Sequence, residues 1–243
     1  MGLLSKKNKP SQKAYAVVTG AGSGIGRSFA LELAKRGGDV ICADIDLSSA
    51  QETVDLIQSM TSTSAYAVHC DVGLKESVHA LAEQAEQLLR HPVTLLINNA
   101  GVGLGGKFDE VSLEDWQWCM HVNLWGVIHG CHYFVPKFKQ QGFGAIINVA
   151  SAAGYTAAPE MTAYNVTKSS VLALSETLAS ELHAYNIAVN VLCPTLVPTN
   201  IMKNGRLPSR YSGLADKLLM NHAFTTSDAV SYTHLTLPTT PYV

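Results

Sequence analysis

Tyr164 and Lys168 stand four positions apart in the stretch TAYNVTKSS, residues 162–170, inside a segment that otherwise reads as helix. At that spacing two side chains share one helix face. A free tyrosine keeps its proton to pH ~10, so near neutrality it is a weak acid–base group unless something stabilises its anion. A lysine ammonium one turn away can do so by charge. The pair therefore suits proton transfer to and from an oxygen. A second chemical feature lies far upstream in VVTGAGSGIGRSFA, where Gly20, Gly24 and Gly26 follow G-x-x-x-G-x-G spacing. Glycines there let the backbone turn sharply and approach a pyrophosphate, which rests against the N–H groups of a helix start. Folds for flavins, nucleotide-sugars and S-adenosylmethionine use similar turns. Asp44, 18 residues past Gly26, sits where a carboxylate accepts hydrogen bonds from an adenosine ribose. Its charge repels a 2′-phosphate, and neither Ser23 nor Ile45 offers a compensating cation, which favours NAD over NADP. Asp71 is similarly placed for the adenine edge.

These residues need elements to position them. Short β-branched runs occur at 14–20, 39–44, 65–71, 93–99, 144–151 and 187–193. Continuous apolar strands of this kind belong to a parallel sheet covered on both faces. Between them, amphipathic segments at about 25–36, 48–60, 74–90, 112–138 and 160–185 are long enough for crossover helices. In the last of these, Leu174, Leu178 and Leu182 form a stripe at i, i+4 spacing. Six such steps predict an α/β fold, a doubly wound parallel Rossmann sheet flanked by helices. Ser151, Tyr164 and the loop from Pro194 then fall at C-terminal strand ends or on helices starting there, where such sheets bind ligands.

With 243 residues, 47% hydrophobic and 15% charged, the chain suits one α/β domain with a sizeable core. A net charge of -2 gives no electrostatic reason to expect nucleic acid or a membrane surface. Five cysteines, an odd number with no C-x-x-C spacing, argue against a disulfide framework or a zinc site and for reduced thiols in the cytoplasm. His129, Cys131 and His132 lie close together without a carboxylate, and no metal is expected. The start, MGLLSKKNKP, lacks the apolar region of an export signal, and residues 1–13 read as a flexible arm. Residues 230–239, VSYTHLTLPT, resemble the translation of an adapter used in transposase-based DNA library preparation. The domain is therefore expected over 14–229, incomplete at its end and missing its last strand, with 230–243 as a non-native tail.

Taken together, TGAGSGIG, NNAG at 98–101, HVNLWG at 121–126, Ser151 thirteen positions before Tyr164, and YNVTK resemble the short-chain dehydrogenase/reductase family. The motifs keep the family's order from about residue 14 to at least Thr199. The resemblance implies Tyr164 as general acid–base, with Lys168 lowering its pKa and holding the nicotinamide ribose. It implies that Ser151 hydrogen-bonds the reacting oxygen and that Asn123 holds a water linking Lys168 to solvent. The dinucleotide would lie along Gly20, Ser23, Gly24, Ile25 and Gly26, against Asp44, Asp71 and Val72. It would continue past Asn99, Ala100 and Gly101 to Tyr164, Lys168, Pro194, Val197 and Thr199. By the same resemblance the intact enzyme is a homo-oligomer, with Trp116, Trp118 and Trp125 on a helix that packs on the sheet and on its twin.

Leu104, Ala152, Ala153, Tyr155, Met161, Leu196, Ile201 and Met202 are largely apolar around this site, suggesting a hydrophobic alcohol or ketone. Lys203 and Arg206 offer cations to a substrate anion. The reading is an NAD-dependent oxidoreductase interconverting a secondary alcohol and a carbonyl. Two rivals stand beside it: a 3-oxoacyl reductase using NADPH, and a truncated chain that binds cofactor without turnover. A methyltransferase would share the glycine turn and Asp44 but has no use for Ser151, Tyr164 and Lys168.

Overall fold

The computed structural model describes residues 11–195, 197, 199, 201, 205–208 and 225–232. Six strands, β1 (Tyr15–Thr19), β2 (Asp39–Asp44), β3 (Ala65–His69), β4 (Leu95–Asn98), β5 (Gly144–Val149) and β6 (Ile187–Leu192), form a parallel sheet in the order β3-β2-β1-β4-β5-β6. The order reverses between β1 and β4, and the crevice at their C-terminal ends is the switch point of a doubly wound sheet. Each expected strand forms because both faces are covered. Val17, Ile41, Leu96 and Ile146 pack under α3 (Lys75–Leu89), α5 (Gly126–Gln141) and α7 (Thr162–Leu182). Val18, Val40, Ile97 and Ile147 pack on the other side under α1 (Gly24–Lys35) and α2 (Leu47–Met60).

The helices differ from the sequence reading where local chemistry intervenes. The segment expected at 112–138 is α4 (Leu113–Met120) and α5 joined by a π-helical turn at His121–Trp125. The Ser112 hydroxyl caps its start by accepting from the Asp115 N–H at 3.1 Å. The short α6 (Ala153–Thr156) was not anticipated, and α7 closes through a 3-10 turn at His183–Tyr185 with Asn186 in the left-handed region, φ 57°. Among the described residues β6 has a strand neighbour on one side only, and Ala188–Leu192 are half-buried.

Residues 11–13, at the end of the expected arm, form a turn in which the Lys13 N–H donates to the Arg36 carbonyl at 3.3 Å. A last helix, α8 (Thr226–Tyr232), starts in a reciprocal cap: the Asp228 N–H donates to Thr225 Oγ1 at 3.1 Å and the Thr225 N–H to Asp228 Oδ2 at 2.8 Å. Thr226 hydrogen-bonds Ser28 of α1 at 2.7 Å, and Val230 is buried in the cluster under α1. Ala229, where the sequence reading ends the domain, thus lies within α8. Residues 1–10 of the arm and 233–243 of the tail are outside the described residues.

A buried polar layer crosses the sheet just below the crevice. Asn98 Nδ2 donates to Asn148 Oδ1 at 2.9 Å, Asn148 Nδ2 to Ser175 Oγ at 3.0 Å, and Ser175 Oγ to the Val171 carbonyl at 2.6 Å. This chain fixes β4, β5 and α7 in one register, since a slip would strand buried polar groups. α5 approaches so closely that a Cβ on Gly130 would lie 2.1 Å from Asn98 Oδ1. Gly130→Ala is expected to cost about 3 kcal/mol by urea denaturation, because the methyl must displace a fixed carboxamide rather than a flexible side-chain end. Ser170→Ala, at a half-buried position of α7 whose hydroxyl only back-bonds the Val166 carbonyl, is expected to cost less than about 0.5 kcal/mol.

Candidate active site

The glycine turn is held by carbonyls pointing away from it. Asn99 Nδ2 donates to the Gly20 carbonyl at 3.2 Å, Thr53 Oγ1 to the Ala21 carbonyl at 2.8 Å, and the Arg27 guanidinium to the Gly22 carbonyl. Ser23 caps α1 in an extended conformation without a side-chain hydrogen bond, and the first N–H bond to its carbonyl comes from Arg27. The first-turn N–H groups at Gly24, Ile25 and Gly26 therefore lack intrahelical acceptors and point from a helix start with positive potential. Gly20 needs its left-handed φ of 65°, and a Cβ there would sit 2.8 Å from Ala100 Cα. A Cβ on Gly26 would meet the Gly20 carbonyl oxygen at 2.1 Å, so position 26 tolerates no side chain. Thr199 closes over it, with its Cβ 3.3 Å from where a Gly24 Cβ would be.

Asp44 is anchored at the same turn: its Oδ2 accepts from the Gly22 N–H at 2.8 Å and its Oδ1 from the Asp46 N–H at 3.0 Å. Asp71 Oδ1 accepts from the Gly73 N–H at 2.9 Å, closing the turn into α3, while Val72 is buried with its carbonyl 3.0 Å from His129 Nδ1. Thr19, to which the sequence reading gave no role, has an Oγ1 that accepts from the N–H groups of Asn99 at 3.0 Å and Ala100 at 3.1 Å. It welds the NNAG turn to β1. The cradle of N–H groups, the excluded Cβ positions and the carboxylate together fit a dinucleotide.

Ser151, Tyr164 and Lys168 are brought together beside this turn. Lys168 is 2% exposed, its Nζ donates to the Val149 carbonyl at 2.9 Å, and it stands 5.7 Å from the centroid of the Tyr164 ring. A Cβ on Gly101 would be 3.5 Å from that Nζ and 3.1 Å from Asn123 Oδ1, so the NNAG turn converges on the same point. Burial pushes Lys168 down to about 8, against the influence of Cys119 and Cys193. Burial also pushes the Tyr164 phenol above its usual range, opposed by its hydrogen bond with Ser151. The net direction for Tyr164 is upward, not the lowering a dominant Lys168 charge would give. The resting phenol is held neutral, ready to donate.

Asn123 lies in the π turn, a feature that often marks functional positions in helices. Its Oδ1 accepts from the Val102 N–H at 2.8 Å and its Nδ2 donates to the Val102 carbonyl at 2.9 Å, so its carboxamide is committed to the loop after β4. Any water link to Lys168 therefore runs through backbone groups rather than a free carboxamide. The Pro194 carbonyl accepts from the Ala152 N–H at 2.9 Å, tying the loop after β6 to the Ser151 loop, and Val197 is buried. Of the expected apolar residues, Leu104 is buried, Ala152, Ala153, Met161 and Ile201 are half-buried, and Tyr155 is exposed. Leu196, Met202 and Lys203 lie outside the described residues. Arg206, expected to meet a substrate anion, instead pairs with Asp115.

Known proteins share this arrangement. The short chain dehydrogenase family profile matches residues 14–208. The probable oxidoreductase EphD of Mycobacterium tuberculosis (strain ATCC 25618 / H37Rv) is 36% identical over 187 residues, 76% of this chain. The chain spans only 31% of that relative's length. A cyclohexanol dehydrogenase of Acinetobacter sp. (strain SE19) is 36% identical over 196 residues, covering 80% of this chain and 77% of the relative. A crystal structure of a short chain dehydrogenase/reductase from Burkholderia phymatum in complex with NAD superposes with a TM-score of 0.85 at 35% identity, over 93% of this chain and 85% of the other. On the profile match, and on relatives of which it covers more than two thirds, this chain belongs to the short-chain dehydrogenase family of oxidoreductases.

Proposed function

We propose that this chain is an NAD-dependent oxidoreductase that interconverts a secondary alcohol and a ketone. The observation that carries the reading is the convergence of Ser151, Tyr164 and Lys168 on one point beside the glycine turn. Tyr164 gives its phenolic proton to the carbonyl oxygen during reduction and takes the hydroxyl proton during oxidation. Ser151 hydrogen-bonds the same oxygen, and Lys168 supports the phenolate and holds a ribose. When bound, the nicotinamide supplies or accepts the hydride, which leaves the protein only positioning and proton transfer to perform. The solved relative with NAD and the anchored Asp44 carboxylate favour NAD over NADP. The cyclohexanol dehydrogenase relative and the apolar surroundings of Leu104 and Met161 favour a hydrophobic substrate.

A cytoplasmic setting is supported by five cysteines that remain free thiols, with Cys42 and Cys131 pushed up to about 12 by burial. Among the described residues no helix is long and apolar enough to cross a membrane. A homo-oligomer built on α4 and α5 is supported by the exposed Leu113 at the start of α4 and Trp125 in the π turn between the two helices.

Tyr164→Phe is expected to lower kcat by about 10²- to 10⁴-fold in both directions, measured by NADH absorbance with cyclohexanol and cyclohexanone. In the intact enzyme alcohol oxidation rises and carbonyl reduction falls with increasing pH, because the phenol must be deprotonated for one and protonated for the other. Unchanged turnover in the phenylalanine variant contradicts the assignment.

Asp44→Asn is expected to weaken NADH binding by about 10- to 100-fold in a fluorescence titration, through loss of the charged acceptor. Tighter binding of NADPH than NADH by the unaltered chain supports the 3-oxoacyl reductase alternative instead.

Keeping Lys168 charged under the protein surface costs stability on the order of 3 kcal/mol. Between about pH 8 and 10.5 the unfolded chain holds a proton at this lysine that the folded chain has released, so the cost fades as pH rises across that window. Lys168→Met is therefore expected to gain about 2 kcal/mol at pH 7 in urea denaturation, after loss of the Val149 hydrogen bond. The gain shrinks toward zero by pH 10.5 while turnover is lost.

A further inference from the structure

Arg27 belongs to α1, but its side chain folds back over the glycine turn toward α2. Its Nε donates to Thr53 Oγ1 at 2.9 Å, and its Nη2 donates to the carbonyls of Gly22 and, at 3.3 Å, Ser49. The same Nη2 pairs with Glu52 Oε2 at 2.9 Å, a partner whose side chain is 67% exposed. Thr53 is fully buried and passes the contact on, since its Oγ1 donates to the Ala21 carbonyl at 2.8 Å. Two successive carbonyls of the turn are thereby drawn toward α2 by one guanidinium and the hydroxyl it holds.

A peptide unit is planar and trans, so its N–H points opposite to its C=O. In the unit joining Ala21 to Gly22, the carbonyl meets Thr53 while the Gly22 N–H donates to Asp44 Oδ2 at 2.8 Å. In the unit joining Gly22 to Ser23, the carbonyl meets Arg27, which turns the Ser23 N–H away from α2 at the residue that opens α1. A Cβ on Gly22 would lie 2.8 Å from both Ser49 Cβ and Asp44 Oδ2, so the turn is pressed between α2 and that carboxylate without slack.

We infer that Arg27 is a positioning residue for the pyrophosphate of the dinucleotide: it holds the Ala21 and Gly22 carbonyls against α2, so that N–H groups rather than carbonyl oxygens face the anion. The identity of the ligand rests on the proposed nicotinamide chemistry, whereas the clamp acts on the phosphate pair alone. Donors fixed beforehand need no reordering when the anion binds. Without the guanidinium both carbonyls are free to rotate toward the anion, and their negative ends repel it. The pair with Glu52 is largely exposed and adds little to this hold.

The test is a fluorescence titration of NADH, with ADP and adenosine as competitors, on the full chain and on Arg27→Met, Arg27→Lys and Glu52→Gln, with Tm measured on each. Arg36→Met is the control, since Arg36 makes an ion pair with Glu32 at the far end of α1. Arg27→Met is expected to weaken NADH and ADP about tenfold, while adenosine, which carries no phosphate, changes less than about twofold. Arg27→Lys restores part of the loss, because an ammonium reaches one carbonyl but cannot fork to the Thr53 hydroxyl as well. Glu52→Gln stays within about threefold of the full chain, and Arg36→Met keeps all three affinities. Equal ADP affinity in the full chain and Arg27→Met overturns the inference, as does an equal loss for ADP and adenosine or a comparable loss in Arg36→Met. Failure of NADH and ADP to bind the full chain overturns it too. If the expected pattern appears but cyclohexanol with NAD gives no turnover, the clamp stands and the proposed oxidoreductase reading falls.

Discussion

The site depends on an ammonium held out of water. Lys168 reaches from α7 to the Val149 carbonyl at the end of β5, and its burial against that single acceptor is electrostatically unfavourable. Such a charge persists only where the surroundings over-determine it. Here the determinants are the register of α7 on β5, the turn at Gly101 and the loop fixed by Asn123. The same low-polarity setting that penalises the cation also holds the Tyr164 phenol neutral. Near neutral pH both groups thus keep their protons, Lys168 as a cation and Tyr164 as a neutral phenol.

The scaffold serves this arrangement from below. The Asn98–Asn148–Ser175 chain locks α7 two turns beyond Lys168, while Thr19 and Asn99 lock the NNAG turn to the glycine turn. Each link spans elements distant in sequence, so the dinucleotide cradle and the proton-transfer pair move as one body. Along this chain donors and acceptors alternate from Asn98 Nδ2 to the Val171 carbonyl, while the buried Asn98 Oδ1 faces Gly130 without a hydrogen-bond partner.

Local patterns made much of this legible. The parallel sheet follows from apolar runs between amphipathic segments, because strands covered on both faces leave that signature. The glycine turn and the Tyr164–Lys168 pair lie within short stretches whose spacing carries the chemistry. The setting of Asn123 was not legible: the π turn and the pair of hydrogen bonds to Val102 arise from tertiary packing that helical periodicity does not encode. No local signal marks Arg27, yet it folds back onto the Gly22 carbonyl and Thr53. Arg206 was read as a cation for a substrate anion, whereas a carboxylate 91 positions away already takes its charge. Charged partners so far apart leave no mark in composition or spacing.

Direct titration of Lys168 tests the central claim. With lysine carrying carbon-13 at Cε, the account predicts one resonance that titrates near pH 8 and vanishes in Lys168→Met. If no resonance titrates near pH 8, or the one that does persists in Lys168→Met, the ammonium is solvated and the account of the site is wrong.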